Sequence, residues 1–288
     1  MTEPSPTSAA EQSADATEQS TESSSEQAVT DGRYLYCFVD TATANSNDLS
    51  ILGVGECSVY VIETESVGAV VHDCETVYDT ESPEQVTQWV LKHQHVVDAA
   101  GEMFGTPLPM RFNTIIEGGD ASISQWVHEN HDTIREALTS FAGMWEYRVR
   151  LHWDSSAFEA EIADQDDQLQ DLQRRRKQAG SGTSFLLEKQ YEKRLRELKQ
   201  QRQSDLTATL RESISPVVTE MIEQDPSSPL TDDTSAIDGE PVARVAVLAD
   251  EADETELGNR LDDPAEQEGV SIKFTGPWPP YTFAPDLG

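Results

Sequence analysis

The charge balance constrains this chain first. It carries 54 acidic and 20 basic residues, a formal net charge of -34. Such a charge repels itself and weakens a compact state unless salt screens it. The screening length falls to about 3 Å at 1 M salt. The acids are spread over segments that otherwise carry clean strand and helix patterns from Arg33 onwards, and the bases are mostly Arg, with only six Lys. An acidic, Lys-poor surface on a folding chain points to a salt-rich cytoplasm. Nucleic acid is excluded as a partner, because phosphate binding needs clustered bases facing the backbone. The one basic run, Arg174–Lys177, lies in a charge-mixed helical stretch and reads as a solvated helix face.

Cys37, Cys57 and Cys74 form an odd set without zinc-type spacing and read as small buried apolar residues. The N-terminus has no basic region followed by an apolar run, so no signal peptide is expected. No stretch approaches the roughly 20 apolar residues of a membrane span.

Residues 1–31 are almost all Ser, Thr, Glu, Gln, Ala and Pro. They cannot bury enough apolar surface to offset the entropy of ordering, and a disordered acidic tail is expected there. An N-terminal α+β unit follows at 32–105. Its strands are Arg33–Val39, Ser58–Thr64 and Val67–His72. Its helix is capped by Ser82 with Pro83 at the first position, and runs to about Phe104.

A C-terminal unit is expected at 106–288. Leu108–Ile116 reads as a strand and Ser122–Phe141 as an amphipathic helix. Trp145–Trp153 alternates as a strand, with Glu146, Arg148, Arg150 and His152 on a solvent-facing side. Three helices fill about 155–225, with apolar stripes through Phe185, Leu187, Tyr191 and Leu195, and through Leu206, Leu210, Val217 and Met221. A strand at Val242–Leu248, a helix at Glu251–Asp263 and a strand at Val270–Phe274 complete the unit. Without the helical insertion this is β-α-β-β-α-β, the ferredoxin-like order. The expected fold class is thus α+β in two domains, the second a modified ferredoxin-like sheet with a helical insertion.

Catalytic motifs are weak. Gly53-Val54-Gly55 lacks the third glycine and the following helix of a dinucleotide loop. His128 and His131 lie at i, i+3 without a third ligand at recognisable spacing. Two segments stand out instead. Pro107–Phe112 is apolar with a single Arg. Gly276–Phe283 is aromatic, and Pro277, Pro279 and Pro280 hold it extended. It suits either a lid over its own sheet or a docking segment for a partner. The candidate partner-binding residues are Pro109, Arg111, Phe112, Trp278, Tyr281 and Phe283. No catalytic, cofactor or metal residues are assigned.

These segments carry a family resemblance. Tyr34–Val39 looks like the opening strand of the GvpF/GvpL gas vesicle proteins, and Pro107–Thr114 like their "PLRFGT" motif, with Asn113 in place of the usual Gly. Trp145–Val149 and Ser181–Leu187 resemble two further motifs. Gly276–Phe283 is similar to the "GPWPPYSF" signature almost letter for letter. Acidity and the N-terminal tail resemble the haloarchaeal GvpL branch most. The resemblance implies a non-catalytic accessory or minor structural protein of gas vesicles. It also implies contacts with the shell protein GvpA and other minor Gvp proteins during nucleation, in the cytoplasm, with no cofactor. Two other readings are a general helical scaffold and an enzyme using the face around Arg148, Arg150 and His152.

Overall fold

The computed structural model describes residues 28–42, 49–226 and 238–287. Two antiparallel sheets form its frame. The first is built from β1 (Ala28–Asp40), β2 (Tyr60–Thr64) and β3 (Val67–Thr76), in the order β2-β3-β1, closed by two short strands on the free edge of β1. These are β4 (Leu108–Pro109) and β5 (Ile115–Ile116). α1 (Pro83–Phe104) covers one face. Ser82 accepts from the Gln85 amide and Pro83 takes the first position, as the sequence suggests. Val96, Val97, Ala100 and Phe104 of α1 pack on Tyr34, Tyr36, Cys37 and Val39. α2 (Gly119–Glu129) and α3 (His131–Ser140) cover the other face, burying Ile123, Val127, Ile134 and Leu138 on Leu35, Phe38, Val67 and Val71.

β1 therefore faces two cores at once. A register break between Leu35 and Cys37 places the adjacent residues Tyr36 and Cys37 in the same core. A bulge does this because its extra residue shifts the alternation by one.

The second sheet runs β7-β8-β6-β9. Its strands are β6 (Met144–Trp153), β7 (Glu220–Gln224), β8 (Glu240–Asp250) and β9 (Val270–Trp278). Between β6 and β7 lie α4 (Ser155–Gln165), α5 (Asp167–Gln178) and α6 (Ser181–Ile214). Between β8 and β9 lie α7 (Glu254–Arg260) and α8 (Asp262–Ala265). Tyr147, Val149, Leu151 and Trp153 meet Leu206, Leu210 and Ile214 of α6 and Leu257 of α7 on one face. Burying each such Leu or Ile stabilises by about 2 kcal/mol.

Several expectations change. Leu108–Ile116 does not open the second sheet. It is split by a turn, and both halves pair with β1. The helix expected at Ser122–Phe141 breaks at Asn130 and packs on the first sheet. The segment 106–141 thus pairs with and packs on the first sheet. The order β-α-β-β-α-β is present, but its members are β6, α4–α6, β7, β8, α7–α8 and β9. The helical stretch is itself the first crossover, and β7 is the strand that helical spacing hid. Pro216 ends α6 in a single 3-10 turn because it has no N–H to continue the ladder, so Met221 lies in a strand. The strand β1 also reaches back to Ala28, opposite Thr76, so residues 28–31 are not part of a tail. Residues 1–27, assigned to that tail from sequence, lie outside the described residues.

Candidate partner-binding surface

The aromatic C-terminal segment follows β9 and turns inward. Its anchor is Glu146 on β6, which is fully buried. Arg148 donates through Nε to Glu146 Oε1 at 2.8 Å. The Thr282 amide donates to Oε2 at 2.7 Å, and the Thr282 hydroxyl donates to Oε1 at 2.9 Å. Three charge-assisted or neutral donors thus satisfy one buried carboxylate, the condition for keeping a charge out of water. The Arg148 guanidinium lies 5.6 Å from the Trp278 ring centre. Gly276 makes the turn possible: its φ is +142°, and a Cβ there would sit 2.6 Å from the Tyr147 ring. Phe283, Ala284 and Leu287 then pack against the core between the first sheet and α2–α3. The Glu146/Arg148 side of β6 is therefore not the solvent-facing surface that its alternation suggests. Arg150 stands in register between Arg244 and Lys273, and His152 Nδ1 lies 3.4 Å from the Gly239 carbonyl.

The six candidate residues fall in different places. Pro109 is buried in β4 opposite Cys37. It lines a cleft of about 260 Å³ with Met110, exposed Arg111 and Tyr281. Phe112 turns the other way, edge-on to Tyr34 and His93 in the α1-side core. Trp278 lines a separate groove with Val86, Val90 and Leu91 of α1. Phe283 is half-buried and packs against the α2–α3 core. Only Pro109, Arg111 and Tyr281 converge.

The central motif holds a polar network in the first core. Asn113 adopts φ +68°. Asn is among the few residues with a side chain that accept this left-handed conformation, which accounts for its standing where the family motif has Gly. Its amide donates to the Tyr34 hydroxyl at 3.0 Å, and its side chain pairs with the backbone N–H and C=O of Tyr78. Tyr34 bonds His93 Nδ1 at 2.9 Å, and His93 Nε2 faces the Met110 carbonyl at 3.2 Å. Tyr36 bonds His72 Nδ1 at 2.8 Å, and His72 Nε2 faces the Tyr78 hydroxyl at 3.0 Å. With Nε2 protonated in both rings, every one of these contacts has one donor and one acceptor. Burial pushes both imidazoles down to about 4 and pushes the Tyr34 and Tyr36 phenols up. Gly53-Val54-Gly55 serves this network rather than a phosphate. The Val54 amide donates to the Tyr36 hydroxyl, which occupies the space a Cβ on Gly53 would need.

Glu65 lies between His128 and His131, at 3.5 and 3.2 Å. Among the described residues no group of His, Cys, Asp and Glu is arranged to hold a metal ion. Burial raises the Cys37 and Cys74 thiols, and Cys57 is half-buried.

One surface was missed from sequence. Phe185 was placed on an apolar stripe, yet it is 60 % exposed and its neighbour Leu186 is 62 % exposed at the start of α6. Only Leu187 of this triplet turns inward, in a helix pair with α5, whose Leu169 and Leu172 are buried. Two adjacent apolar residues preceding a buried third, too many for one helical stripe, were the available signal.

Against known proteins, the family model "Gas vesicle synthesis protein GvpL/GvpF" matches residues 32–285. Gas vesicle protein L of Haloferax mediterranei is 59 % identical, covering 100 % of both chains. Gas vesicle protein L1 of Halobacterium salinarum is 57 % identical over 94 % of this chain and 96 % of its own. The crystal structure of gas vesicle protein GvpF from Anabaena superposes with a TM-score of 0.69 at 20 % identity, covering 89 % of this chain and 99 % of that one.

Proposed function

The chain belongs to the gas vesicle GvpL/GvpF family, and on that premise we propose that it is an accessory or minor structural protein that binds the shell protein GvpA and other Gvp proteins during nucleation and assembly. The observation that carries this reading is similarity over 100 % and 94 % of the chain to gas vesicle proteins L and L1 of two haloarchaea. The physical role follows from charge. A small, very apolar shell protein aggregates while free. A partner of net charge -34 that covers its apolar surface keeps the complex dispersed by repulsion between copies. The site of action on this reading is the cytoplasm, at growing gas vesicles. No helix among the described residues is long and apolar enough to cross a membrane.

The contact surfaces we propose are the Pro109–Arg111–Tyr281 cleft and the helical crossover α4–α6. Phe112 and Phe283 are used inside the protein, and the tail segment works as a lid. On the same reading the chain divides near residue 142 into a unit around the first sheet and a ferredoxin-like unit around the second. The scaffold alternative gains from the length of α6, about 50 Å at 1.5 Å per residue. In the enzyme alternative Arg148 is already engaged by Glu146, which leaves Arg150 and His152 of its face.

Sedimentation tests the assembly role. GvpA is mixed with and without the full chain in concentrated KCl and then centrifuged. GvpA retained in the supernatant only when the chain is present supports the reading. Equal pelleting in both samples overturns it.

A further inference from the structure

The bases of this acidic chain are not evenly placed. Residues 174–202 carry ten of the chain's 20 Lys and Arg, but only three of its 54 Asp and Glu. This stretch is the end of α5, the turn, and the first part of α6; Arg194 and Lys199 in it pair with Asp166 and Glu159, so the distal tip itself holds Arg174–Lys177 and Lys189. Some of its bases share nearby carboxylates, Arg174 and Arg175 with Asp171 of the same helix and Arg176 with Glu188 across to α6, at 3.4–3.5 Å on exposed surface. Such pairs are weak and exchange readily for others. At the centre of this basic tip stand Phe185 and Leu186, with Lys189 5.9 Å from the Phe185 ring.

The rest of the chain holds the complementary feature. Four large apolar side chains are exposed among the described residues: Phe185, Leu186, Leu91 and Leu52. Leu91, 62 % exposed, lies at the α1 groove formed with Val86, Val90, Gln94 and Trp278 and with Arg148, whose charge is met by buried Glu146. α1 carries Glu84, Asp98 and Glu102 against one Lys92, which is paired with Glu56 at 3.4 Å. Outside residues 174–202 the chain has ten bases and 51 acids, so the groove lies on a strongly acidic body. Phe185 lies 21 residues before Leu206, roughly 30 Å along a straight helix, from the part of α6 that is anchored on the second sheet. The far half of α6 is fixed on the second sheet through Leu206, Leu210 and Ile214, and the helix carries the tip outward.

We infer that the chain associates with a second copy of itself, head to tail. Phe185 and Leu186 of one copy enter the Val86–Leu91–Trp278 groove of the next, and the basic tip rests on the acidic body around it. In concentrated salt the Debye length is shorter than an ion-pair contact, so the charges act only on touching. The apolar anchors carry the affinity and the charges set which surfaces meet. A contact of two different patches is heterologous, and it propagates unless symmetry closes it. This inference needs no GvpA, so it stands or falls apart from the assembly role.

Analytical ultracentrifugation of the full chain in concentrated KCl tests it. Three proteins are compared: wild type, Phe185→Asp/Leu186→Asp, and Leu91→Glu. All substituted positions are exposed, and circular dichroism checks that the fold is kept. The inference expects the wild-type mass to rise with concentration and both variants to stay monomeric. Mixing the two variants leaves one intact tip and one intact groove, so it restores a two-chain species that grows no further. A wild type that stays monomeric and binds only other Gvp proteins overturns the inference. So do variants that associate like wild type, or a mixture that stays monomeric. A charge-reversed tip, Arg175→Glu/Arg176→Glu, is expected to shift the association to higher protein concentration.

Discussion

Asn113 and Glu146 show how single positions hold this fold. Asn113 combines a left-handed backbone with three hydrogen bonds around Tyr34 and Tyr78. Replacing it by Ala keeps the backbone strain cost and removes both side-chain bonds. Replacing it by Gly removes the bonds but relaxes the backbone. Asn113→Ala is therefore expected to lose about 2–3 kcal/mol and Asn113→Gly about 1 kcal/mol, in guanidinium unfolding at fixed high salt. Equal losses would show that the left-handed turn carries no strain. Glu146→Ala strands Arg148 and the Thr282 amide in a dry site. A cost of about 3 kcal/mol is expected, read as a lower unfolding midpoint. Glu146 looked solvent-facing in the sequence because it alternates with Arg148 and Arg150 on one strand. The residue that covers it, Thr282, lies 136 positions away, and a contact at that separation leaves no local mark.

Among the elements, the legible ones were those whose signals are local. The Ser82–Pro83 cap fixed the start of α1, and Gly105 its end. The alternation of Trp145–Trp153 fixed β6. The element order β-α-β-β-α-β was also visible, though its membership was not. Leu108–Ile116 has strand composition, and nothing within it says which sheet it joins; β1 supplies the partners. β7 has only five residues and follows a 34-residue helix, so its apolar positions merged with the helical spacing. The first sheet has its own pH dependence. Its two buried imidazoles, at about 4 in the folded protein, stand near 6.5 once unfolded. His72 is packed between Tyr34, Tyr36 and Tyr78 with Asp73 beside it, and His93 between Tyr34, Phe112 and the Met110 carbonyl. The unfolded chain binds more protons between these values, so stability is fully present above about pH 6.5 and is lost as pH falls towards 4. The expected loss is on the order of 3 kcal/mol per histidine. His72→Gln should flatten the slope of stability against pH in this window, and an unchanged slope would remove His72 from the cause.

For the whole molecule, charge and shape work together. On the proposed reading, an acidic body, a basic helical tip and an inward-folded aromatic tail make the α5–α6 tip and the Arg111 cleft the contact surfaces. The central claim is that the tail is clasped onto Glu146 through Thr282 in the free protein and stays clasped when partners bind. Hydrogen exchange of the full chain in concentrated KCl, with and without GvpA, tests it most directly. The account predicts slow exchange at the Thr282 amide in the free protein, unchanged when GvpA is added, with new protection at the α5–α6 tip or near Arg111. A tail that exchanges freely alone, and becomes protected only when GvpA is present, would contradict it and make the tail the docking segment.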